Sequence, residues 1–418
     1  MGYRNHSSNI YTVALVELKR LPEYQKAFCK AIRQEAGRCW TDMVNAHVES
    51  RSTDKWLDDV ALQKLYKGKY SLHSTTIQGL AQKLGANILT AKDLRKDQAN
   101  NGEEISAKYP YHTKEFQTPI WKESAIHWNR DGHLELSNGK NMTALSLIVP
   151  DCYYGLDICK AELTWDGSNY ILCLTIDSGH KMEEPIQNGL IAGVDLGEIN
   201  IAAIATENED GVVINGRLLR SIQRRREKKL AAYNSLLSYC TPGSKRYGKL
   251  VRSKKRICAK VDKQKRDILH KASRQAVNFC YERGVSQIAV GDVRDIADEV
   301  NLGHKTNQKI SQWTHGQFSQ YLIYKAQWLG MNVELIPEDY SSRTCSNCRF
   351  VKSYAPKGRV YTCPGCGAVV HRDLNGAANI CSRAKYNSYG KVQISTEMYL
   401  RPTGRSRVWD TDQSGLLR

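Results

Sequence analysis

No apolar run in this sequence approaches the roughly 18 residues that a transmembrane helix needs. The opening residues, Met1-Gly2-Tyr3-Arg4-Asn5-His6, lack the apolar core of a signal peptide. His6 stands where a myristoylation signal requires Ser or Thr. A soluble, cytoplasmic protein without a membrane partner is therefore expected. No internal repeat is present. A disulfide framework is missing too: the 13 cysteines are odd in number and nine of them are scattered without pattern, a usage that fits a reducing compartment.

Acidic residues are scarce where basic ones are dense. Between Arg217 and Gln275 there are 20 Lys and Arg against three acids (Glu227, Asp262, Asp267), so this stretch holds +17 of a formal net charge of +18. A solvated helix face accounts for a handful of such charges. Self-repulsion on this scale calls for a polyanion nearby, and clustered Lys and Arg neutralise phosphates with release of counterions. Nucleic acid is the expected partner. The expected contacts are Arg224, Arg225, Arg226, Lys228, Lys229, Lys254, Lys255, Arg256, Lys265, Arg266 and Lys271.

The four remaining cysteines form two tight pairs. Cys345-Ser-Asn-Cys348 and Cys363-Pro-Gly-Cys366 are separated by fourteen residues. Each Cys-x-x-Cys bends the chain so that two thiolates meet one ion, and two such knuckles complete a structural tetrahedral Zn²⁺ site. His371-Arg372-Asp373 follows at once.

With 418 residues and 41% hydrophobic content, the chain has room for two or more domains. Tyr11–Leu18 reads as a strand. Helical spacing follows from about Pro22 to Leu94, as in Ala27, Ala31, Ala36, Trp40 and Val44. Residues 95–110 read as a linker. Short strands return over His133–Leu136, Leu145–Val149, Ala161–Trp165 and Tyr170–Ile176, the last two joined by the turn Asp166-Gly167-Ser168-Asn169. A second unit begins near Gly189. Its strands are Leu190–Gly197, Ile201–Ala205, Val212–Ile214, Gln287–Val293 and Val333–Ile336, with helices over Trp313–Leu329 and Asp373–Ser382. Trp40 and Trp121 are candidates for base stacking, yet a Trp is more often core. Thr75, Thr76 and Gln78 on the first helical stretch are candidates for reading base edges in a groove.

Asp195 ends an apolar strand, where a carboxylate is costly unless a cation meets it. Asp373 stands at a helix start and suits an N-cap as well. With the basic segment, two such acids suggest a two-metal phosphodiester nuclease, in which Mg²⁺ ions roughly 3.5–4 Å apart activate water and stabilise the leaving oxygen. A third carboxylate is needed.

These segments carry a family resemblance. Gly193-Val-Asp195-Leu-Gly197, Leu269-His270-Lys271-Ala272-Ser273, Tyr324-Lys325-Ala326, Tyr340-Ser-Ser342-Arg343-Thr344-Cys345 with its cysteine pairs, and His371-Arg372-Asp373-Leu-Asn375-Gly-Ala-Ala378-Asn379-Ile380 resemble the TnpB family in kind and order. These are transposon-encoded RNA-guided DNA nucleases, related to type V CRISPR effectors. The resemblance implies a multidomain α+β fold. Residues 1–20 and 111–188 would form a β wedge domain, with a helical recognition insertion and linker over 21–110. A RuvC-like (RNase H-type) nuclease domain would cover 189–340 and 371–382, interrupted by a zinc ribbon at 341–370, with a mobile tail at 383–418. It also implies a guide RNA, double-stranded target DNA read beside a short motif, catalytic Mg²⁺ and a prokaryotic cytoplasm. The oligomeric state stays open. Asp195 matches the family's first catalytic acid and Asp373 its third.

The second acid departs from the family's pattern. Its usual Glu falls on Gly291 in Val290-Gly291-Asp292-Val293. Side chains alternate across a strand, so neighbouring Asp292 should face away unless a bulge at Gly291 re-aims it. Asp295 lies beyond the strand and is a weaker candidate. Glu338, just past the strand Val333–Ile336, is expected to take over as metal ligand, with Asp292 as the alternative. Loss of the acid altogether would instead leave a cleavage-deficient RNA-guided DNA-binding protein. A transposase performing strand transfer itself suits the ribbon's position less well.

Overall fold

The computed structural model describes residues 9–53, 55–187, 189–293, 314–354, 356 and 358–402. It divides into two compact units, Met1–His180 and Lys181–Arg418. Among the described residues, no helix is long and apolar enough to cross a membrane.

The first unit begins with strand β1 (Asn9–Leu18) and helices α1 (Glu23–Ser52), α2 (Asp59–Tyr66) and α3 (Ser74–Asn100). Strands β2 (Ile120–Lys122), β3 (Ile126–Trp128), β4 (Leu134–Leu136), β5 (Leu145–Leu147), β6 (Ile158–Trp165) and β7 (Tyr170–Lys181) follow. One sheet runs β1-β7-β6-β2 and another β3-β4-β5, so the chain returns to its first strand after the helices. In β7, Tyr170, Leu172, Leu174 and Ile176 are buried at every second position. The β6–β7 turn closes as its residues demand: Asp166 Oδ1 accepts from the Ser168 and Asn169 N–H groups, both at 2.8 Å. Trp40 and Trp121 are core residues, 3% and 0% exposed. Residues 95–100, expected as linker, complete α3 instead.

The second unit contains strands β8 (Leu190–Leu196), β9 (Asn200–Thr206) and β10 (Asp210–Asn215), then helices α4 (Arg217–Ser238) and α5 (Lys245–Tyr281). Strand β11 (Val285–Gly291), helix α6 (His315–Trp328) and strand β12 (Asn332–Ile336) come next. The hairpin β13 (Val360–Thr362) and β14 (Val369–His371), helix α7 (Arg372–Tyr386) and strand β15 (Thr396–Leu400) complete it. The six-stranded sheet runs β12-β11-β8-β9-β10-β15. Here β8 is parallel to β11 and antiparallel to β9, while β15 is parallel to β10.

The period-two rule assigns the two faces of this sheet. Ala192, Val194 and Leu196 of β8 join the core under α5 and α6. Gly193 lies on the other face, where a Cβ would come within 2.2 Å of Ala377 O and 2.3 Å of Cys381 N. That contact lets α7 rest directly on β8. Residues 383–418, expected as a mobile tail, contain the last turn of α7 and all of β15; residues 403–418 lie outside the described residues.

Lys325 of α6 is 3% exposed and joins α6 to α5. Its Nζ donates to His270 O and Ser273 Oγ, both at 2.7 Å. Burial, then the charge of Arg274, lowers its pKa to about 7. An unfolded Lys keeps its proton to about pH 10.4, so between these values the unfolded chain binds more protons. Stability is therefore expected to rise as pH climbs from about 7 to 10. Lys325→Met should flatten that rise in denaturant titrations across this range.

Candidate active site

The site is built where three segments of the second unit end on the α7 side of the sheet. Asp195 is the penultimate residue of β8, two positions after Gly193 and therefore on the same face. Asp373 is the second residue of α7. It is not the cap: His371 Nδ1 accepts from the Asp373 N–H at 3.2 Å and caps the helix. Glu338 follows β12 by two residues. The three carboxylates line one cavity of about 340 Å³, with Glu198, Arg359 and Arg372 among its other walls.

Gly291 leaves the room that Glu338 fills. A Cβ built on Gly291 would stand 2.4 Å from Glu338 Oε2 and 3.0 Å from Ile380 Cδ1. A longer side chain at 291 and the present Glu338 conformation exclude each other. Asp195 is packed as closely against the first turns of α7, where a Cβ on Gly376 would lie 2.5 Å from its Oδ2.

Asp292 does not line the cavity. The pairing of β11 with β12 runs in unbroken register from Gln287 to Gly291, without a bulge, and the Asp292 N–H continues it to Ile336 O at 2.8 Å. Its charge is felt by His315 at the start of α6 and by Glu338. Asp295 lies outside the described residues.

The electrostatics are those of crowded carboxylates. Burial, then Glu338 and Asp373, raises the Asp195 pKa well above the usual range, against the opposing pull of Arg372. Burial, then Asp292 and Asp339, pushes Glu338 up to about 7. Asp373 is met by cations: Arg372 Nε and Nη2 both reach Oδ1 at 3.1 Å, and Arg359 Nη1 stands 3.5 Å from Oδ2. Asn200 Nδ2 donates to Oδ2 at 2.8 Å. Hard oxygen donors facing one cleft are the ligand type that Mg²⁺ takes, although among the described residues only the four cysteines bring their ligand atoms within 4.8 Å of one another. Sequence reasoning missed Glu198, Asn200, Arg359 and Arg372 as site residues. Arg372 alone carried a signal, as the neighbour of Asp373.

The cysteine pairs meet as expected. The Sγ atoms of Cys345, Cys348, Cys363 and Cys366 all lie within 4.8 Å of one another. Cys345–Cys366 is 3.8 Å and Cys348–Cys363 is 3.5 Å. A tetrahedral ion with metal–sulfur bonds of about 2.3 Å needs thiolates roughly 3.8 Å apart, so the donor set fits Zn²⁺. The knuckles are alike, since Arg349 and Gly367, one residue past each pair, have φ of 65° and 73°. Two buried asparagines of α7 tie this module to the site. Asn375 Nδ2 donates to Thr344 O at 2.8 Å, and Asn379 Nδ2 to Ser341 O at 2.8 Å and Thr344 O at 2.7 Å.

All eleven basic residues singled out for phosphate lie on α4 and α5. Arg224, Arg225, Lys228, Lys229, Lys255 and Arg256 are exposed, and Arg226, Lys254, Lys265, Arg266 and Lys271 partly so. Arg226 pairs with Glu227 at 2.8 Å, Lys271 with Asp267 at 2.7 Å, and Lys254 donates to Asn234 at 2.7 Å. The motif-reading expectation is corrected at Thr75 and Thr76. They are 7% and 0% exposed at the start of α3, and the Thr75 hydroxyl lies 2.9 Å from His73 Nδ1. Buried hydroxyls cannot meet a base edge. Gln78 is half-buried.

The OrfB_IS605 family model, described as "Probable transposase", matches residues 173–297, and a "Cas12f1-like, TNB domain" model matches 315–380. TnpB-like protein L79 of Acanthamoeba polyphaga mimivirus is 25% identical over 189 residues, 45% of this chain and 36% of that protein. Over these segments the chain is similar to TnpB-family proteins. A further relative, from Streptomyces pristinaespiralis and named "Putative RNA-guided DNA endonuclease", is 28% identical over 52% of this chain and 50% of its own. The chain thus spans half or less of these two curated relatives. The protein in a cryo-EM structure of a Cas12f1–sgRNA–target DNA complex superposes with a TM-score of 0.62 at 12% identity, covering 90% of this chain and 99% of that one. That likeness is one of fold: mixed α/β, shared with Cas12 effectors.

Proposed function

We propose that this TnpB-like chain is an RNA-guided, Mg²⁺-dependent DNA endonuclease whose second unit is a RuvC-like nuclease domain carrying a zinc ribbon. The convergence of Asp195, Glu338 and Asp373 on one cleft carries this reading. In it these three carboxylates would hold two Mg²⁺ ions, which when bound would supply an activated water and stabilise the leaving oxygen. Asn200 orients the Asp373 carboxylate, and Arg359 and Arg372 offset its charge. Both guanidiniums line the cleft within reach of a phosphodiester, and Arg is the residue best shaped to hold one. The helices α4 and α5 hold the guide–target duplex by its backbone. The first unit, in the wedge and recognition role, reads a short motif beside the target.

The cleavage-deficient alternative draws support from Gly291 at the position of the family's second acid. Against it stands the Glu338 carboxylate over that glycine. The test is to purify the chain with its RNA, sequence the RNA, and challenge a plasmid library with randomised flanks in Mg²⁺. Guided double-strand cuts are expected. Binding without cutting, in Mg²⁺ or Mn²⁺, would replace the enzyme by a repressor, and joining of a transposon end to target would indicate strand transfer.

Binding should depend steeply on salt and little on sequence. Changing Arg224, Arg225 and Arg226 together to Gln is expected to flatten the slope of log K against log salt by up to about 2–3, since each phosphate contact contributes roughly 0.7–0.9. An unchanged slope would remove that cluster from the interface.

A further inference from the structure

A second cavity, of about 120 Å³, lies between α4 and α5 and shares no lining residue with the carboxylate cleft. Arg225, Arg226 and Lys229 border it from α4, and Ile257, Lys260 and Gln264 from α5. The spacings put each set on one helical face, so these are the facing sides of the hairpin. Near its base the same helices meet through Leu219, Ile222 and Ile268, all in the apolar core. At the level of the cavity, cations and an amide join Ile257 and the buried Val261, which continues that packing.

Two polar atoms here are shut away from solvent without a hydrogen-bond partner: Arg226 Nε and Gln264 Oε1. Glu227 engages the outer end of the Arg226 guanidinium at 2.8 Å, leaving Nε–H as an unused donor. Buried polar groups are almost always satisfied, so an orphaned donor and acceptor bordering one cavity point to a ligand that completes them. The ligand would need an acceptor, a donor, a flat apolar face for Ile257, and an anion for Lys229 and Lys260. A nucleotide has all four, since each base carries acceptor and donor groups along one edge.

We infer that this cavity takes one unpaired nucleotide of the guide RNA, with the base between the helices and its phosphate on Lys229 and Lys260. The inference rests on the guided-nuclease reading. RNA is favoured over target DNA because a guide–target duplex keeps its bases paired, whereas folded RNA presents unstacked bases in loops and bulges. Entry requires the Arg226 and Gln264 side chains to turn toward the base.

The test uses the full chain co-purified with its RNA, photocrosslinked with ultraviolet light and mapped by mass spectrometry. A nucleotide adduct is expected on α4 or α5 peptides bordering the cavity. Ile257→Trp fills the cavity without changing charge. It should abolish the adduct and weaken RNA binding about tenfold by excluding the base, while the phosphate keeps its contacts on the exposed Lys229 and Lys260 and the salt slope stays unchanged. Gln264→Leu should weaken binding unequally among RNAs differing only in the crosslinked base, and it carries the test if Ile257→Trp fails to fold. Wild-type affinity in both variants, an adduct on DNA instead of RNA, or a base-independent loss with a flattened slope would each overturn the pocket. RNA binding with no adduct on these helices overturns the pocket alone. A chain that binds no RNA overturns the guided-nuclease reading as well.

Discussion

Glu338→Gln is expected to lower guided cleavage by on the order of 10²–10³-fold or more while guided binding survives. The substitution keeps the shape of the side chain and removes its charge, so a ligand to the catalytic metal is lost without a change in packing. Asp195→Asn and Asp373→Asn should behave alike. Asp292→Asn should cut at close to the parental rate, because Asp292 is outside the cleft. The decisive variant is double. Glu338→Ala empties the space over Gly291, and adding Gly291→Glu then puts a carboxylate back from the neighbouring strand, so part of the lost activity should return. Gly291→Glu alone should be poor, since its Cβ would meet Glu338 Oε2 at 2.4 Å. Full cleavage by Glu338→Gln together with a dead Asp292→Asn would transfer the role to Asp292. Because ligands must be deprotonated to bind a cation, Mg²⁺ affinity should also fall as pH drops through about 7, where Glu338 takes up its proton.

The second large effect is expected at the cysteines. Elemental analysis should find one zinc per chain, and Cys345→Ser or Cys363→Ser should lose it. Structural zinc is worth roughly 10–16 kcal/mol in small peptides, so the module should unfold locally. The damage should reach the catalytic cleft, because Asn375 and Asn379 bond Ser341 and Thr344, just before the first knuckle and just after Glu338. Cleavage should fall with zinc content on titration with a chelator, before the far-ultraviolet circular dichroism changes. A chain purified without chelator that held no zinc and still cut would sink this account.

What could be read from the sequence was what depends on local rules. Strands β8 and β11 were legible because buried strands are short apolar runs. The Asp166–Asn169 turn was legible because Asp and Gly enforce it. The cysteine cluster was legible because two Cys-x-x-Cys pairs have the spacing that a metal site requires. The expectation that Glu338 replaces the family's second acid rested on the family's pattern, on strand alternation at Gly291 and on a carboxylate at the end of the neighbouring strand. What escaped depends on distant neighbours. Arg359 borders the cleft only because the β13–β14 hairpin leads into α7. Thr75 and Thr76 read as surface polar residues, yet their helix start is buried. Strand β15 has almost every side chain exposed, so no apolar alternation marks it, and only its backbone pairing with β10 makes it a strand.

That last strand bears on how the protein can be shortened. Thr396–Leu400 pair residue by residue with Asp210–Ile214 and cover the backbone edge of β10, whose Val212, Val213 and Ile214 are almost wholly buried. A miniaturised variant that stopped before Thr396 would leave that edge open, a ready template for chain-to-chain association. Trimming for delivery, or fusion of an effector domain, should therefore spare this strand, although little in its composition advertises it.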